Sequence, residues 1–95
     1  ALDPARIHAD YAAALPEKAA AIVAAVAARD TARATELAHK LCGSAAMYGF
    51  PEVSETARLL EEACREKQDP ELLDELAREL RASVKPAGGQ PPGLE

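Results

Sequence analysis

Proline punctuation constrains this chain more than any other feature. Pro4, Pro16, Pro51 and Pro70 interrupt a sequence otherwise filled with good helix formers. A proline ring fits the first turn of a helix but not its interior, so each one reads as a helix start. No run of alternating β-branched or aromatic residues offers a strand instead. The chain reads as all-α.

Asp3-Pro4 opens a short helix to about Ala14, with Ile7 and Tyr11 one turn apart. Pro16 then restarts the helix, and Leu15, Ile22, Val23 and Val26 make its apolar stripe toward Ala28. Asp30 and Thr31 are candidate caps for a third helix reaching Tyr48, where Gly49 supplies the stop. Pro51 opens a fourth, with an inner face of Val53, Ala57, Leu60 and Cys64 widened by Leu59 and Ala63. Asp69-Pro70 opens a fifth, carrying Leu72, Leu73, Leu76, Leu80 and Val84. Short connections make successive helices antiparallel. The expected architecture is an up-down four-helix bundle with a short extra N-terminal helix over residues 1–85, followed by a flexible Gly/Pro tail or linker over 86–95. The chain is expected to be one domain of a longer protein, because it begins without Met and ends in that Gly/Pro run.

Alanine supplies 23 of the 46 hydrophobic residues, so half of that fraction speaks for helix rather than for a large core. The larger apolar side chains suffice for one compact domain. A net charge of -5, without a Lys/Arg cluster, leaves no electrostatic footprint for nucleic acid or an anionic membrane. The longest apolar stretch, residues 19–28, is about half a bilayer span. Cys42 and Cys64 lack the paired spacing of a zinc site and are too few for a disulfide framework. No metal site is expected, and a reducing, cytoplasmic setting fits. The domain is expected to be monomeric, since each apolar stripe is used by the bundle.

His39 breaks the pattern of its helix. At 100° per residue, Ala34, Leu37, Ala38, Leu41, Ala45 and Tyr48 form one core-facing stripe, and His39 lies roughly 150° from its centre. The imidazole therefore projects into solvent. Gly43 and Ala46 follow it on the same side, leaving a bare patch of backbone beside it. A glycine inside a helix costs about 0.5–1 kcal/mol relative to alanine, so Gly43 is a local conflict that packing or function must excuse. A neutral imidazole offers an unprotonated nitrogen nucleophile near pH 7. Met47 also faces outward and is a candidate docking residue for a partner, with Ala46 and Glu36. His8 and Cys64 read as scaffold.

The segment Ala38-His39-Lys40-Leu41-Cys42-Gly43-Ser44-Ala45, continued by Gly49-Phe50, resembles the signature of histidine-containing phosphotransfer (HPt) domains, A-H-x-L-K-G-S/G-A followed by G-F/A. With Glu55-Thr56 and Leu59-Leu60-Glu61 it looks most like the HPt domain at the N-terminus of CheA-type chemotaxis kinases, over about residues 34–62. The resemblance implies that His39 accepts a phosphoryl group from a histidine kinase ATP-binding domain or a receiver aspartate, and passes it to a response-regulator receiver domain. Mg²⁺ and ATP are then expected only in those partners, and no cofactor in this chain. Two further positions carry over. Glu61 matches the carboxylate that orients the imidazole; the alternative is a solvated helix face. Arg58 matches a position near the phosphorylation site; the alternative is a surface pair with Glu62 or Glu55. Lys40 and Gly43 are supporting positions, although Lys40 points about 100° away from His39. Cys42 departs from the signature, standing where the family usually carries lysine. That departure keeps a second reading open, a helical docking module that binds a receiver or kinase domain without being phosphorylated.

Overall fold

The computed structural model describes residues 3–84. It contains four helices: α1 (Pro4–Ala27), α2 (Thr31–Met47), α3 (Pro51–Arg65) and α4 (Pro70–Ser83). Each packs on its neighbours in chain order and α4 closes the ring on α1, with the most extensive packing between α2 and α3. This is the expected all-α, up-down bundle. The tail assigned to residues 86–95 lies outside the described residues. Among the described residues no helix is long and apolar enough to cross a membrane.

The separate N-terminal helix does not exist. Pro16 lies inside α1, which runs unbroken from Pro4 to Ala27. The reason is a stripe that stays in phase across the proline: Tyr11 packs against the core, and Leu15, Ala19, Ile22 and Val26 are buried. An interior proline costs about 3 kcal/mol. Contacts ahead of it offset that penalty. His8 stacks on Phe50 with ring centroids 4.4 Å apart, Tyr11 stacks on Tyr48 at 4.5 Å, and the Tyr11 hydroxyl bonds the Ser44 hydroxyl.

All three aspartates stand at the N-caps of their helices, and two of them make the side-chain cap bond. Asp3 accepts from the Ala5 amide and Asp30 from the Arg33 amide, each at 3.1 Å. Asp69 precedes Pro70 at the start of α4 but makes no side-chain cap bond. Leu59 and Leu72, expected on the inner faces, are exposed, whereas Ala63, expected beside Leu59, is buried, as is Ala77.

Three helices end alike. Arg29, Gly49 and Lys67 adopt left-handed backbone with φ of 61°, 89° and 56°. The next amide in each case reaches back to a carbonyl in the last turn: Asp30 to Ala25, Phe50 to Ala45, Gln68 to Ala63. This is the Schellman stop, which glycine adopts freely and arginine or lysine only against steric strain. Arg29 gains in return a carbonyl bond to Val26 and a two-pronged bond to Asp74 on α4, at 3.0 and 3.1 Å.

Alanine proves to be a core residue as well as a helix former. Ala34, Ala38 and Ala45 of α2 and Ala57 of α3 are fully enclosed, beside the larger Leu41, Val53 and Leu60. Small side chains let helix axes approach closely. In this bundle the close approach brings α3 within side-chain reach of the outer edge of α2.

Candidate functional site

Of the α2 stripe, Ala34, Ala38, Leu41 and Ala45 are buried where the wheel puts them, Leu37 at its edge is half-buried and Tyr48 at its end is exposed, and His39 on the opposite side faces outward. Its side chain is 70% exposed. Glu61, 22 residues on, meets it from α3: His39 Nδ1 lies 2.9 Å from Glu61 Oε2. The Glu61 side chain is only 8% exposed, which excludes the solvated-face reading. A buried carboxylate accepts and cannot donate while ionised, so the ring proton belongs on Nδ1. Nε2 then carries the free lone pair on the exposed side of the ring.

Arg65 completes the group. Its Nη2 lies 2.8 Å from the same Glu61 oxygen that His39 engages. The sequence reading did not single it out, although the Glu61-to-Arg65 spacing of one helical turn is the signal that finds it. Arg58, by contrast, spends its guanidinium on Glu55 and on Glu62, the latter at 2.6 Å. Those carboxylates push the Arg58 guanidinium further up, and Arg58 holds the Glu55 carboxyl below its usual value. The surface-pair alternative for Arg58 is what the structure contains.

Around the imidazole the surface is low. Gly43 is helical and exposed, and a Cβ placed on it meets nothing within 4 Å. Ala46 is exposed, and Met47 is 78% exposed. Packing therefore does not demand glycine at position 43. Lys40 pairs with Glu36 at 3.6 Å, both largely in solvent, rather than with the site. Cys42 sits at the core margin as expected. The Ser54 hydroxyl donates to its carbonyl at 2.8 Å and lies 3.6 Å from its sulfur, tying α3 to α2 one turn beyond His39. Cys64 is buried, and burial pushes its thiol up. His8 is engaged by Phe50, in keeping with a scaffold role. Among the described residues no group of three or more His, Cys, Asp or Glu could hold a metal ion.

The bundle thus presents a solvent-facing imidazole hydrogen-bonded from behind by a buried carboxylate, a geometry in which a ring nitrogen can be reached by another protein. Residues 6–85 match the Hpt domain family, and the chain belongs to it, as a histidine phosphotransfer module of a phosphorelay. Such domains interact with kinase and receiver domains. Comparison with curated proteins and with solved structures gave no match.

Proposed function

We propose that His39 is the phosphoacceptor, and that the domain carries phosphoryl groups from a histidine kinase ATP-binding domain, or a receiver aspartate, to a response-regulator receiver. One observation carries the reading: a 70% exposed imidazole whose Nδ1 is fixed 2.9 Å from a buried carboxylate. The Nε2 lone pair attacks the donor phosphorus, a phosphoimidazole P–N bond forms, and the donor's P–O bond breaks with its electrons leaving on ADP or on the receiver carboxylate. The Nδ1 proton stays in its bond to Glu61, so the phosphorylated ring remains hydrogen-bonded and oriented. Mg²⁺ and the charge-stabilising groups come from the partner.

The low surface at Gly43 and Ala46, with the thioether of Met47 beside it, is the proposed docking face, and Glu36 and Lys40 form its polar rim. The 22-residue step from histidine to carboxylate, with the Gly49-Phe50 turn between them, supports a CheA-type, bacterial chemotaxis kinase as the parent. The cytoplasm is the proposed setting.

The test is phosphoryl transfer from a panel of kinase domains and phosphorylated receivers, with His39→Gln alongside. Acid-labile label that vanishes in His39→Gln is the expected result. A folded protein that takes no label from any donor overturns it in favour of the docking module, for which Cys42 in place of lysine is the favouring observation.

A further inference from the structure

Glu61 solves one problem for His39 and creates another. A carboxylate holding the Nδ1 proton leaves Nε2 free, but a glutamate side chain with three rotatable bonds must itself be held for the ring to keep that tautomer and orientation. Arg65 sits where it answers the second problem. Its Nη2 lies 2.8 Å from the oxygen that His39 engages at 2.9 Å, so guanidinium and imidazole are within about 6 Å of each other through one shared atom.

We propose that Arg65 is a positioning residue for transfer at His39: it fixes the Glu61 carboxylate toward the ring, so that the ring proton is held on Nδ1 and the Nε2 lone pair faces the partner. The inference rests on the reading of His39 as phosphoacceptor.

Two comparisons within the site support this role. Arg58, also within one turn of Glu61, is held between Glu55 and Glu62 and gives Glu61 nothing. The remaining charged groups near the ring do not hold Glu61. On α2 itself Glu36 and Lys40 neutralise each other at 3.6 Å, and Cys42 is turned toward Ser54 of α3. From α1, Glu17 and Lys18 line the groove on the far side of Lys40 and Leu41. Arg65 is therefore the cation that holds the buried carboxylate, and at 62% exposure it does so without supporting the core.

The experiment is an NMR measurement of the imidazole nitrogens in the full chain, comparing wild type with Arg65→Gln and Arg65→Lys, with His8 as an internal reference. In Arg65→Gln the Nδ1 and Nε2 signals of His39 are expected to move from the Nδ1–H tautomer toward a mixture of both tautomers, and labelling of His39 to slow roughly two- to threefold. His8 keeps its signals, and Arg65→Lys returns His39 to the wild-type pattern. Unmoved His39 signals in Arg65→Gln, or a lysine variant that behaves like glutamine, overturns the proposal. The spectra use unphosphorylated protein, so they decide the role of Arg65 even where the wild type takes no label, the result that defeats the phosphoacceptor reading instead.

Discussion

His39 Nδ1 and Glu61 Oε2 lie 2.9 Å apart across two helices, one side chain mostly in water and the other mostly out of it. That asymmetry is what the chemistry requires: the nucleophile must be reached by a partner, and the group orienting it must not be distracted by solvent. Glu61→Gln keeps the shape of the side chain and removes its charge, and an amide can present either an acceptor or a donor to the ring. Labelling of His39 is expected to slow by roughly tenfold or more, with far-UV circular dichroism unchanged. A variant that labels at the wild-type rate removes Glu61 from the site.

Gly43 separates folding from docking. Its φ is not left-handed and a Cβ there meets open space, so Gly43→Ala is expected to stabilise the bundle by about 0.5–1 kcal/mol. Gly43→Gln is expected to fold equally well and yet slow transfer from a kinase or receiver domain, because a longer side chain fills the low patch beside His39. Denaturant unfolding and transfer rate, measured on the same samples, read the two effects apart.

The helix stops predict opposite responses to glycine. Lys67 takes the left-handed conformation with φ of 56°, where a side chain is strained, so Lys67→Gly is expected to raise stability by about 0.5–1 kcal/mol. Gly49 has φ of 89° with His8 Cδ2 3.6 Å from where a Cβ would stand, and Gly49→Ala is expected to cost about 1 kcal/mol or more. Thermal unfolding midpoints that move the same way in both variants would contradict this assignment of strain.

The Arg29–Asp74 clamp makes stability depend on acid. Its bond to Arg29 holds the Asp74 carboxyl below the ordinary aspartate value. A carboxyl lowered in the folded state contributes stability that is fully present above its unfolded value, near about 4, and is lost as pH falls through the folded one. Wild type is therefore expected to exceed Asp74→Asn in stability at pH 7, with the gap closing progressively below about pH 4. Unfolding curves at several pH values check it, and a gap independent of pH would assign the clamp no electrostatic role.

The sequence by itself determined the helices and the face on which His39 stands, because helical periodicity is local: Ala34, Ala38, Leu41 and Ala45 point inward at fixed angular steps, and His39 must then point out. Prolines at 4, 51 and 70 marked starts for the same local reason. Pro16 did not, since whether a helix survives a missing hydrogen bond depends on what its two halves bury, and the stacking of His8 and Tyr11 on Phe50 and Tyr48 is a contact between distant segments. The same limit governed the site. Residue order left Glu61 between a solvated face and an orienting role, and Arg58 between phosphate and surface carboxylates. Only the packing of α3 against the alanine face of α2 decided that Glu61 is buried against His39, that Arg58 is spent on Glu55 and Glu62, and that Arg65 shares the Glu61 oxygen. Burial and distance between side chains on different helices are properties of that packing, and local periodicity does not contain them.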